Sequence, residues 1–168
     1  MEYKIVTLPA IKIAGYELKT SSTDNKNLKE IPLFWTTYME EGKMEKLHAA
    51  NFVEDHAEYG ACFPENLENG EFSYVIGVKA KSDSEISEDF YVCEIPAATY
   101  AVFSTPSSER KDFSQNIQGT WQYIMNEWFA SSGYDYATGK VDFELYGEKS
   151  MGENDLICEI YIPIIKKQ

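Results

Sequence analysis

The sequence predicts an α+β fold made of two βαββ repeats about a pseudo-twofold axis. Each repeat is expected to contribute antiparallel strands and one main helix, with a central pocket between the repeats. Three observations carry this expectation. The chain states the same pattern twice, each copy holds an apolar stripe at helical spacing, and strand-like runs flank each stripe. A length of 168 residues suits one domain able to bury a core without metals or disulfides.

The repeat is visible in ordered matches. Residues 3–16 read YKIVTLPAIKIAGY and residues 90–103 read FYVCEIPAATYAVF. Pro9-Ala10 falls over Pro96-Ala97, and Ala14 over Ala101, at an offset of 87. Trp35 falls over Trp121 at 86, and FSYVIGV from Phe72 over LICEIYI from Leu156 at 84. One match could be chance; an ordered set at a slowly drifting offset is duplication with small loop differences. The repeats are placed at residues 1–83 and 88–168, joined by a polar linker around Ser82-Asp83-Ser84-Glu85.

Each element has a local reason. Residues 3–20 and 90–105 are β-rich. Each carries a Pro-Ala step, which marks an edge, bulge or bend because proline cannot donate to a ladder. Leu28, Ile31, Trp35, Tyr38 and Met39 recur at helical spacing and predict a helix within residues 28–41. Asn27 and Glu30 suit a capping box, which leaves Pro32 just inside the helix unless the start moves towards Ile31. Strands are expected at 59–63 and 72–81, around a turn-rich segment 64–70. Phe113, Ile117, Trp121, Ile124 and Trp128 make the second stripe, with Gly133 as a stop. Strands then follow at 141–146 and 156–164.

Composition excludes several classes of function. A net charge of −13 repels phosphate backbones, so no nucleic-acid partner is expected. The same charge attracts cations, organic ones included, although solubility alone also accounts for it. Cys62, Cys93 and Cys158 are odd in number and far apart, which argues for no disulfide framework and a reducing cytoplasm. His48 and His56 lie in a polar stretch with no cysteine at ligand spacing, so neither a metal nor another cofactor is expected. The N-terminus lacks a basic stretch followed by a long apolar run, and no segment reaches membrane-spanning length. Aromatic residues make up 14% of the chain, which calls for a core, an interface or a pocket lining to place them.

Three segments resemble the GyrI-like effector-binding family: Glu71-Phe72-Ser73-Tyr74-Val75-Ile76-Gly77-Val78, Phe143-Glu144-Leu145-Tyr146, and Glu159-Ile160-Tyr161-Ile162-Pro163-Ile164. The resemblance covers nearly the whole chain. It implies kinship with effector-binding domains of AraC- and MerR-type bacterial regulators and with the DNA gyrase inhibitor. It further implies a pocket between the repeats for lipophilic, cationic aromatic compounds, with Glu144 on its floor. Some family members resemble hydrolases of cyclopropane-bearing toxins, so a catalytic Glu144 is the alternative reading. A gyrase-inhibitor-like module docking on a protein partner is another. No helix-turn-helix can be placed at either end of the chain, and a monomer is expected.

Glu144 therefore leads the candidate list. Asp142, Glu144 and Tyr146 share one strand face, opposite Phe143 and Leu145. The bland reading of that face is solvated polarity. Among aromatics, Tyr146, Tyr161, Tyr38, Trp35, Tyr74 and Trp128 are the expected pocket residues, while Trp121 is assigned to core packing. Glu159 is a weaker acidic candidate.

We expect no specific duplex-DNA binding by this chain. A fluorescence-anisotropy titration at physiological salt should stay flat, and a submicromolar specific affinity would contradict the charge argument.

Overall fold

The computed structural model describes residues 1–66 and 68–168. Strand β1 (Tyr3–Leu8) stops at Pro9 and β2 (Ile11–Ser21) begins after it. The second copy breaks the same way, into β5 (Tyr91–Ile95) and β6 (Ala98–Ser104) around Pro96-Ala97. The remaining elements are α1 (Lys26–Glu40), α2 (Lys43–His48), β3 (Val53–Asn66), β4 (Glu71–Ala80), α3 (Arg110–Tyr123), β7 (Tyr134–Tyr136), β8 (Asp142–Tyr146) and β9 (Glu159–Lys166). Helix α3 continues through a π-helical turn at Ile124–Trp128 and ends at Ser131.

All pairings are antiparallel, in the order β1-β6-β9-β8-β3-β4-β2-β5, with β7 added on β9. Exchange each strand for its counterpart in the other repeat and the order reads the same from the opposite end. The two halves meet where β3 pairs with β8. They also exchange edge strands: β1 pairs with β6 and β5 pairs with β2. The Pro-Ala steps are thus crossing points at which the chain passes from one end of the sheet to the other. Leu8 and Ile11 are three residues apart, at most about 11 Å. The two ends of the sheet must therefore lie near each other, so the sheet is strongly curled.

The curl divides the apolar residues by face. Ile13, Tyr59, Val75, Ile95, Tyr100 and Phe143 pack within it. On the outer face α1 and α2 cover Tyr74, Ile76 and Val78 of β4, with Tyr38 and Leu47 fully buried. Helix α3 covers Phe103, Ile160 and Ile162 through Phe113, Ile117, Ile124 and Trp128.

Several local expectations are corrected. Helix α1 begins at Lys26, ahead of the expected span, behind Asp24 and Asn25, both with positive φ. The capping box is not formed; Glu30 instead accepts from the Thr20 hydroxyl and pairs with Lys26. Pro32 stays inside the helix on its exposed side, where the missing N–H is not buried. Strand β3 runs through Pro64 and the turn is confined to residues 68–70; Leu67, within the expected turn, lies outside the described residues. Helix α2 and β7 are each too short to show a period in the sequence.

Gly15 of β2 faces Gly77 of β4 in register. A Cβ on Gly15 would strike the Ile76 carbonyl and sit 2.6 Å from the Gly77 Cα, so the contact is backbone on backbone. Gly15→Ala should therefore cost about 3 kcal/mol, the upper end of ordinary overpacking. Urea denaturation should show it as a lower midpoint at unchanged slope.

Candidate functional site

The site follows from the β3–β8 register. Glu58 lies opposite Tyr146, Gly60 opposite Glu144, and Cys62 opposite Asp142. Alternation then directs these six residues to the helix-covered face, and Tyr59, Ala61, Phe143 and Leu145 to the inner one. The centre of the pseudo-twofold thus carries a glycine in one repeat and a glutamate in the other. A Cβ at Gly60 would collide with the Tyr74 hydroxyl and come within 3.4 Å of the Trp35 ring. The glycine is what lets those two rings lie across β3.

The aromatics arrive from both repeats. Trp35 of α1 donates its Nε1–H to the Tyr74 hydroxyl at 2.8 Å. Its ring stands edge-on to Tyr146 at 5.1 Å and to Tyr38 at 5.8 Å. Trp121 of α3, the repeat counterpart of Trp35, donates to Glu144 Oε1 at 2.8 Å. The Tyr146 hydroxyl donates to Glu144 Oε2. Two further carboxylates in the row also accept a tyrosine hydroxyl: Tyr136 donates to Asp142, and Tyr38 to Glu58. Glu58 is linked outward to His48 Nε2 at 3.3 Å, and His48 contacts His56 through their Nδ1 atoms at 2.8 Å.

Electrostatics single out the two residues of β8. Burial raises the Glu144 carboxyl above its ordinary value, the bonds from Tyr146 and Trp121 oppose the shift, and the nearby Asp142 adds to it. Burial pushes Asp142 up to about 6 against the bonds from Tyr136 and Cys62. Burial and the Glu144 charge hold the Tyr146 hydroxyl well above its usual range, so it stays a donor. Among the described residues no Lys, Arg or His nitrogen lies within 4.0 Å of either carboxylate. The described residues hold no group of three metal-ligating side chains.

Of the residues expected from sequence, Glu144, Tyr146, Trp35, Tyr74 and Tyr38 come together here. Two do not. Tyr161 lies on the inner face, stacked on Phe143 at 4.5 Å, where it lines a cavity of about 240 Å³ with Pro9, Tyr59 and Leu145. Trp128 is buried under α3 against Phe103 and Tyr3, near the β1 edge of the sheet. Glu159 points away as well, pairing with Lys4. Trp121, expected in core packing, does pack against the core beneath α3, and sequence reasoning missed only that it also reaches Glu144. Its alignment with Trp35 was the signal that could have found it.

A curled sheet with helices α1, α2 and α3 on its outer face, enclosing a carboxylate among aromatic rings, defines an effector-binding domain of the GyrI-like type. The chain belongs to the Cass2 family of integron-associated effector binding proteins, whose profile matches residues 4–164. Its fold is shared with solved structures. SAV2435, solved bound to tetraphenylphosphonium, is 22% identical with a TM-score of 0.80, over 98% of this chain and 94% of that one. A putative transcription regulation protein from Staphylococcus aureus is 23% identical with a TM-score of 0.75, over 98% of both chains. An integron cassette protein from Vibrio cholerae is 19% identical with a TM-score of 0.62, over 97% and 95%. No curated protein matches the chain. Among the described residues no helix is long and apolar enough to cross a membrane.

The raised Asp142 carboxyl sets a pH dependence. Between the ordinary value of 3.8 and about 6, the folded protein holds a proton that the unfolded chain has lost. This group's contribution to stability therefore falls as pH rises through that window. Asp142→Asn removes the penalty. The variant should gain on wild type from pH 4 to 6 and be more stable by about 3 kcal/mol at pH 7.5, read from urea midpoints.

Proposed function

We propose that this protein binds a lipophilic, cationic aromatic small molecule between α1 and α3, over the β3–β8 pair. One observation carries the reading: Glu144 sits among aromatic rings with neutral hydrogen-bond donors and, among the described residues, no basic partner. A carboxylate in that setting is poorly solvated and gains most from a cation that also presents flat apolar surface. Trp35, Tyr74 and Tyr146 supply the faces and edges for it. The tetraphenylphosphonium held by SAV2435 has this chemistry, and the shared fold supports carrying it over. The rings touch one another around Glu144, so a ligand enters by parting them, with Trp35 against Tyr146 as the contact to open.

Calorimetry with tetraphenylphosphonium and a neutral counterpart, triphenylphosphine oxide, tests the reading. Glu144→Gln should weaken the cation by about tenfold to a hundredfold and leave the neutral compound nearly unchanged. Equal losses for both would assign Glu144 a structural role only. Recovered ligand should be chemically unaltered by mass spectrometry; a hydrated product would favour the hydrolase reading instead.

A further inference from the structure

Glu144 does not stand alone on its strand face. Asp142 is two residues earlier on β8, which sets their Cα atoms ~6.8 Å apart on the same side of the strand. Cys62, opposite Asp142 in register, lies within electrostatic reach of both carboxylates. We propose, on the reading of this site given above, that it takes organic dications, with one cationic centre at Glu144 and the second at Asp142.

The argument rests on what each carboxylate already has. Glu144 accepts from Trp121 and Tyr146, and Asp142 from Tyr136 and Cys62; all four donors are neutral. Such donors steady a carboxylate without cancelling its charge, and each carboxylate retains lone pairs for another partner. Glu58, the third acid of the row, differs: the His48 Nε2 at 3.3 Å already gives it a nitrogen partner within the fold. The unsatisfied pair is therefore Glu144 and Asp142. A monocation at Glu144 leaves Asp142 either charged with neutral donors alone or protonated. A dication of matching span meets both charges and removes their mutual repulsion, which already raises Glu144. The aromatic surround selects a ligand whose two charges are joined by a flat ring rather than a flexible chain.

The test compares p-xylylene-bis(trimethylammonium), whose nitrogens are held apart by one benzene ring, with 4-methylbenzyltrimethylammonium, the same skeleton with one charge. Calorimetry at pH 7.5 and physiological salt should show the dication binding about tenfold tighter to wild type. Asp142→Asn should abolish most of that ratio while changing monocation affinity by less than about threefold. At pH 5, where Asp142 is largely protonated in the free protein, the wild-type ratio should shrink. Dication binding there should release protons, read as a dependence of the heat on buffer ionisation enthalpy. The acidity of the whole chain favours any dication, so the variant decides. A ratio near one in wild type, or a ratio that survives Asp142→Asn, overturns the proposal while leaving the single-cation site intact. A monocation that fails to bind, or binds equally to Glu144→Gln, overturns the site reading and this proposal together.

Discussion

The pairing of β3 with β8 is the constraint on which the rest depends. It is where the halves of the sheet join at the centre, and its register is short, from Glu58↔Tyr146 to Cys62↔Asp142. A slip of one residue would send Glu144 to the inner face, among Tyr59, Val75 and Tyr100, and bring Phe143 and Leu145 under the helices. The edge-strand exchanges hold the register from outside. Pro9 and Pro96 force each edge strand to leave its own half, so β1–β6 and β5–β2 tie the two halves at both ends of the sheet. The two halves repeat one arrangement of strands, and the line between them is the floor of the proposed site.

Symmetry explains the frame, and its local failure explains the chemistry. Trp35 and Trp121 are counterparts, and each donates its indole N–H towards the centre. In the first repeat the acceptor is Tyr74, lying over Gly60; in the second it is Glu144, in the position equivalent to that glycine. With glutamates in both positions, two carboxylates would face each other across adjacent strands, a strongly unfavourable arrangement. With glycine in both, there would be no charge. One of each leaves a single central carboxylate and the room for aromatic rings to lie beside it.

How far the sequence could be read depended on which quantity each signal measures. Helical stripes and strand alternation report periodicity, and they located α1, α3, β8 and the shared face of Asp142, Glu144 and Tyr146. Periodicity does not say which face of a strand is covered by helix and which is folded inward. Glu144 was assigned to its face through the family resemblance. Tyr161, with the same alternating pattern on β9, belongs to the curled interior, whose existence follows from the edge exchange and not from any local pattern. The two tryptophans of α3 differ in surroundings for a related reason. Trp128, expected to face the pocket, lies where the sheet extends beneath the helix end as far as β1, so it is buried against Tyr3 and Phe103. Trp121, mid-helix, stands over the joint between halves, where the floor is polar.

The tyrosines settle why the carboxylates can be kept so deep. Each acid of the row accepts a hydroxyl from a tyrosine: Tyr38 for Glu58, Tyr146 for Glu144, Tyr136 for Asp142. A lysine or arginine in those places would have made an internal ion pair, with both desolvation costs met and no field left over. A purely apolar surround would have driven the carboxyls to stay protonated at neutral pH. A phenol whose own ionisation is suppressed by burial avoids both outcomes, because it donates one strong hydrogen bond and carries no charge. It lowers the cost of ionising the acid part of the way and leaves the negative charge in place. For Asp142 and Glu144 the remaining cost stays in the folded protein as local destabilisation, which in the proposed site a bound cation would relieve.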